Sequence, residues 1–231
     1  MTDVQPAASA SGDAKGVPLV DTLTDRIRSA IRAGRLVSGQ RLVESELCLQ
    51  FSTSRASLRE AFGRLQTEGL IELAHQKGAR VRRFTPADIK SLYFAREALE
   101  GMAARLAAIN IDRYRGRLEE MERSYDNDDD ASPVLYFDYN ERFHNLLLEM
   151  SESPWLAGLV EQLETPAMVF LLPQLRHNRF AVETSREEHR PIVQAVLAGD
   201  ADGAERAMRR HISNTAERIA AQIAQWDGPI A

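Results

Sequence analysis

The stretch IRSAIRAGRLVSGQRLVESELCLQFSTSRASLREAFGRLQTEGLIE, residues 27–72, decides the fold of the first part of the chain. Its helical pattern begins just upstream, where Val20, Leu23, Ile27 and Ile31 stand three or four residues apart and Gly34 ends the series. Ser38-Gly39 marks a turn, and a short helix is expected over residues 44–51, with Leu47 and Phe51 one turn apart. Ser52-Thr53-Ser54 is a break rich in capping residues, and Ser54 is the best N-cap for the next helix, expected over 55–68. That helix buries Leu58, Ala61, Phe62 and Leu65, and Gly69 stops it. Two strand-like runs, 70–73 and 79–84, flank a tip of Ala74, His75, Gln76, Lys77 and Gly78. Three helices and a β-hairpin describe a winged helix-turn-helix.

Beyond this segment the chain changes character. Residues 20–84 carry twelve Lys and Arg against seven Asp and Glu, whereas residues 85–231 carry sixteen against twenty-five, within a net charge of −5 for all 231 residues. A small basic part joined to a larger acidic one fits a DNA-contacting domain with a separate sensing domain, and it also fits ordinary fluctuation of surface charge. Hydrophobic residues at 44% and only thirteen Gly and nine Pro exclude a fibrous or low-complexity protein. The single Cys48 excludes a disulfide framework and a Cys-rich zinc module, fits a reducing compartment, and reads as a packing residue. No apolar run reaches membrane-spanning length and no signal-peptide order is present, so a cytoplasmic protein without a membrane partner is expected. Residues 1–18, rich in Ala, Ser, Gly and Asp, are expected to be a disordered tail.

Everything after Thr85 reads as helix. Thr85 as N-cap, Pro86 in the first turn and Asp88 three residues after the cap open a helix expected to run to about 108. Further helices are expected near 112–126, 133–150, 154–177, 182–198 and 201–225, with Pro166 and Pro173 kinking or dividing the third of these. The acidic stretch 126–130 reads as a solvated loop. The expected organisation is therefore a tail over 1–18, a winged helix-turn-helix over 19–84 and an all-α six-helix bundle over 85–226.

The first domain carries a DNA-binding signature. Arg55 and Arg59 lie four residues apart near the start of the second long helix, off its buried stripe, where a helix entering the major groove meets phosphates and guanine edges. Ser54 and Ser57 add short donors at that helix N-terminus, and Lys77 with Gly78 suits a wing tip. The competing assignment is that these arginines merely solvate the helix or pair with Glu60 and Glu68.

Together with HQKGARVRRF (75–84), the opening stretch resembles the winged-helix domain of GntR-type bacterial transcription regulators. The resemblance joins a helix, the Gly39 turn, the SRASLREA segment, the EGLIE exit and a wing. It implies DNA contacts from Ser54, Arg55, Ser57, Arg59, Lys77 and Gly78.

The helical part holds three histidines on apolar stripes of separate helices. Phe137, Asn140, His144, Leu147 and Leu148 share one face; His189 accompanies Ile192, Val193 and Val196; His211 accompanies Met208, Ile212, Thr215 and Ile219. Each inward imidazole needs a partner. A backbone carbonyl would satisfy any one of them, and a divalent metal would satisfy all three, with the Asn140 carbonyl as a weaker fourth ligand.

Residues 86–222 resemble the all-helical FCD ligand-sensing domain of the FadR branch of GntR regulators, through FAREALEGMAARLAA, NERFHNLL, EEHRPIVQAV and MRRHI. The domain's short length is similar to the six-helix VanR-like subgroup. The resemblance implies a metal ion, zinc by donor type, at Asn140, His144, His189 and His211, with an amide where the commoner ligand is a carboxylate. Three neutral imidazoles and an amide leave the ion's charge uncompensated and so attract an anion. Arg96, on the stripe of Ile89, Leu92, Tyr93, Leu99 and Ala103, either receives that acid or pairs with Glu100 at i+4. Asn214, one turn past His211, either lines the same cavity or is solvated.

The expectation is a homodimeric regulator, not an enzyme, that binds a double-stranded operator under control of a small organic acid. A metal-dependent enzyme acting on a small carboxylate is the alternative, since three His with open positions also fit a catalytic zinc site. It lacks a placed general base, because Glu141 and Glu188 adjoin candidate ligands but point about a quarter-turn away. A third possibility keeps DNA binding and leaves the histidines paired to backbone with no effector.

Overall fold

The computed structural model describes residues 19–74, 78–126, 133–163 and 179–226. The expected tail, the wing tip with Lys77, the acidic stretch after Asp126, and Pro166 and Pro173 lie outside these residues.

The first helix, α1, spans Leu19–Arg32 and buries Leu23, Ile27, Ala30 and Ile31. Gly34 ends it at φ 72, a left-handed conformation that a Cβ would penalise. The short α2 (Glu44–Phe51) packs Leu47 and Phe51 inward. Next, α3 (Arg55–Thr67) starts at Ser54, whose hydroxyl accepts from the Ser57 N–H at 3.1 Å. Its buried residues are Leu58, Ala61, Phe62 and Leu65, the set expected from the period. Each large apolar side chain so buried contributes about 1.5–3 kcal/mol before entropy is counted.

The strands are β1 (Arg41–Leu42), β2 (Ile71–Ala74) and β3 (Gly78–Val81), antiparallel in the order β1-β3-β2. Strand β1 goes beyond the expected hairpin; two residues are too few to reveal an alternation. The second strand also ends at Val81 rather than at Phe84. Beyond it the chain leaves the ladder, with Arg82 stacked over the Phe84 ring at 4.9 Å.

The long α4 (Pro86–Ile109) opens on a complete capping box between Thr85 and Asp88. It is followed by α5 (Ile111–Asp126), α6 (Pro133–Met150), α7 (154–163), α8 (Arg179–Leu197) and α9 (Ala201–Trp226). Asp200 caps α9 by accepting from the Gly203 N–H at 2.8 Å. The most extensive pairing is α4 on α9, with α8 against α9 and α6 against α4. Small residues permit the close approach: Ala104, Ala107 and Ala108 are buried, and a Cβ at Gly101 would stand 2.8 Å from Arg209 Cγ. Among the described residues the fold is a winged helix-turn-helix followed by six helices, mainly α throughout.

Candidate functional site

On the winged helix, Ser54, Arg55 and Arg59 are exposed at the N-terminal end of α3, and Ser57 is half-buried with its hydroxyl 2.9 Å from that of Ser54. Gly78 opens β3 at φ 79, where glycine is favoured. The acids considered as partners for Arg55 and Arg59 are taken by other arginines. Glu68 receives Arg28 at 2.6 and 3.0 Å, and Glu60 receives Arg64, which also reaches Asp21. Arg55 carries no ion pair among the described residues, and Arg59 pairs across to α2, its Nε donating to both Glu44 oxygens at 2.9 and 3.1 Å.

In the helical part, α6, α8 and α9 bring His144, His189 and His211 together, all buried, with ligand atoms within 4.8 Å of one another. The stripes read separately from the sequence therefore converge. His189 and His211 face each other through their Nε2 atoms at 3.3 Å, and His189 stacks on the Phe143 ring at 4.3 Å. Asn140 lies one turn before His144 on α6, half-buried.

Two carboxylates hold the rings from behind. Glu100 on α4 meets His144 Nδ1 at 2.6 Å, and Glu188 on α8 meets His211 Nδ1 at 2.9 Å. A neutral imidazole with a carboxylate at Nδ1 donates its proton there and keeps a lone pair on Nε2. Each carboxylate is in turn neutralised. Arg96 Nε donates to Glu100 at 2.7 Å, and Arg218 grips both Glu188 oxygens at 2.8 and 3.0 Å. Asn214 also donates to Glu188, at 2.8 Å.

The electrostatics favour the neutral form of His189 and His211. Burial lowers His189 well below its ordinary value, with His211 and His144 adding repulsion. Burial also lowers His211, to about 4, against the opposing pull of Glu188. Desolvation pushes Glu188 up, but hydrogen bonds from His211, Arg218 and Asn214 overcome it and hold the carboxyl at about 2. Glu100 behaves alike: burial raises it, and Arg96 and His144 together bring it below its ordinary value.

This donor set fits a divalent ion of zinc-like preference: three buried imidazoles, two of them, His144 and His211, backed by carboxylates. Two nitrogens bound tetrahedrally at about 2.0–2.1 Å stand about 3.3 Å apart, and the two Nε2 atoms of His189 and His211 are separated by 3.3 Å.

The sequence reading left the supporting carboxylates out. Glu188 does point away from the adjacent His189, as helix geometry requires, and its side chain reaches the histidine of α9 instead. Arg96, left between two partners, has Glu100. The signal for Glu100 was its position on the buried stripe one turn from Arg96, since an acid in a core needs a base and an acceptor role.

Comparison with known proteins agrees with this architecture. Residues 19–81 match the profile of bacterial regulatory proteins of the gntR family, and residues 91–214 match the FCD domain. The chain is 32% identical over 193 residues to a protein of Paenarthrobacter nicotinovorans named "Probable D-xylose utilization operon transcriptional repressor", covering 82% of this chain and 83% of that one. It is 27% identical to the HTH-type transcriptional repressor RspR of Escherichia coli K12, covering 80% and 81%. Two solved structures share the fold at 21% identity. One is a transcriptional regulator of Rhodococcus sp. RHA1 (TM-score 0.65, 89% and 99% covered), and the other is E. coli McbR/YncC (TM-score 0.62, 90% and 100%). The chain belongs to the GntR family of DNA-binding transcription regulators, in the branch that joins a winged helix to an FCD domain, and it is not an enzyme.

Proposed function

We propose that this regulator's affinity for its operator is set by a small organic acid bound at a metal ion in the helical domain. Residues 19–84 form the DNA-binding unit and 85–226 the sensing and dimerising unit, with 1–18 as a tail. Asn140, His144, His189 and His211 hold the ion, and Ser54, Arg55, Ser57, Arg59, Lys77 and Gly78 contact the duplex. The observation that carries the sensing half is the buried cluster of three imidazoles whose ligand atoms lie within 4.8 Å.

When bound, a divalent ion supplies a Lewis-acidic charge that attracts a carboxylate. The surrounding residues leave that charge unmatched: Glu100 is balanced by Arg96 and Glu188 by Arg218, and Asn140 adds none. Arg96 and Asn214, the proposed effector-side groups, each already serve a carboxylate, so an effector acid shares them with Glu100 and Glu188. Operator affinity then changes only by the difference in the acid's affinity for the DNA-competent and incompetent poses.

A homodimer is supported by apolar side chains exposed on two adjoining helices: Phe94, Met102 and Ile109 on α4, and Trp155 and Leu159 on α7. These helices pack through Leu99, Ala103, Leu106, Leu156 and Val160. No helix among the described residues is long and apolar enough to cross a membrane, which accords with action on DNA in the cytoplasm.

A second reading, a cluster with no ion and no effector, is favoured by one contact. At 3.3 Å the His189 and His211 Nε2 atoms can share one proton without a metal. Elemental analysis of the purified protein, followed by thermal-shift screening with small carboxylates before and after chelation, separates the two. A stoichiometric metal and an acid whose stabilisation disappears on chelation support the sensor. A metal-free protein that takes up no added zinc and answers no acid leaves the cluster structural.

A further inference from the structure

We propose that Glu44 is a specificity-determining residue of the DNA interface: it holds Arg59 by Nε, so that the terminal amines of the guanidinium are directed at a base edge and withheld from passing phosphates. This rests on the assignment of α3 as the DNA-reading helix.

Glu44 is the first residue of α2, and both of its oxygens lie on the Arg59 Nε, at 2.9 and 3.1 Å. A carboxylate at Nε leaves the fork of terminal amines, the pair that matches guanine O6 and N7, facing outward. Arg59, and more weakly the charge of Arg55, hold the Glu44 carboxyl below its ordinary value. On a face assigned to DNA a carboxylate repels every phosphate it meets.

Stability does not account for it, because exposed ion pairs contribute little and Arg59 is exposed. Helix-dipole complementarity does not require the ion pair, since Glu46 occupies the same first turn of α2 without one among the described residues. The other paired arginines of this domain differ in kind. Arg28–Glu68 and Arg64–Asp21 tie α1 to the C-terminal half of α3, away from the N-terminal end that carries Arg55 and Arg59. What the ion pair itself adds is orientation and charge masking of Arg59.

The test compares two duplexes of equal length: one selected by the unaltered protein from a random pool, and its scramble. Binding is followed by anisotropy over a range of salt. For E44A the ratio of selected to scrambled affinity is expected to fall about tenfold, with the salt slope on scrambled DNA steeper by about one unit. E44Q keeps an acceptor for Nε and loses the charge; it is expected to hold the selected duplex as well as the parent while binding the scramble more tightly. An unchanged ratio in E44A overturns the proposal. So does an E44Q that loses as much selected affinity as E44A, or a changed base preference at one position with unaltered scramble binding, which would make Glu44 itself a reader. R59A is the control on the underlying assignment. If R59A binds the selected duplex like the parent, Arg59 is not a DNA contact at all; if R59A loses it and the E44A ratio stands, only the role of Glu44 falls.

Discussion

Two arginine–glutamate pairs of this chain have nearly the same geometry and opposite surroundings. Arg59 meets Glu44 at 2.9 Å with side chains 68% and 32% exposed; Arg96 meets Glu100 at 2.7 Å with side chains 7% and 2% exposed. In water the first pair is weak, so it orients Arg59 without fixing it and leaves the terminal amines open to a ligand. In the core the second is fixed, because separating its members strands a charge in a low-dielectric medium. The surface arginine can therefore be offered to a ligand, while the buried one is already part of the scaffold that holds Glu100 against His144. Under the proposed function, an effector acid would join that arrangement without taking Arg96 away from it.

The largest effect that breaks this contrast is E100A. It leaves Arg96 buried without its carboxylate and His144 Nδ1 without its acceptor, and it is expected to cost about 3–5 kcal/mol in urea unfolding. Replacing both members together, R96L with E100L, is expected to recover much of that loss, because the stranded charge goes with its partner. If E100A alone costs no more than an ordinary surface change, water reaches the pair and the distinction between the two regions collapses.

Next in size is the second carboxylate. E188A removes the acceptor that sets the His211 tautomer, and it is expected to weaken metal affinity about 10- to 100-fold. Competition with a chromogenic chelator measures this directly. Glu188 is less buried than Glu100 and is braced by two side chains of α9, Asn214 and Arg218, so it stands between the two extremes. Unchanged affinity would mean that packing against Phe143 and the neighbouring rings orients the histidines unaided.

How far such contacts can be read from the sequence follows from their range. The helices of the winged domain, their buried stripe through Leu58 and Phe62, and the caps at Ser54 and Thr85 are local, and period and spacing reveal them. The inward histidines were legible one helix at a time for the same reason. That the three rings meet was not, because the meeting depends on how α6, α8 and α9 are posed. The partners of Nδ1 were hidden more deeply. Glu188 adjoins His189 in sequence and serves His211 across the interface, a reach that no helical period encodes. Strand β1 was missed because two residues carry no alternation, and its pairing with β3 is a tertiary fact.

The smallest expected effect sharpens the comparison from its surface side. Thr85 and Asp88 form a reciprocal cap in which Asp88 N–H donates to Thr85 Oγ1 at 3.2 Å and Thr85 N–H donates to Asp88 Oδ2 at 2.9 Å. Thr85 is exposed and Asp88 half-buried, yet they satisfy backbone groups that have no other partner in the helix. T85A is expected to cost about 1 kcal/mol in thermal or urea unfolding, and T85S to restore most of it. Operator affinity measured well below the melting temperature is expected to stay at the parental value, because the cap fixes where α4 begins and touches no residue assigned to DNA. If T85A instead shifted operator affinity without a matching loss of stability, the start of α4 would itself bias the pose of the wing. The useful division of the molecule would then run between backbone-anchored and side-chain-only contacts rather than between surface and core.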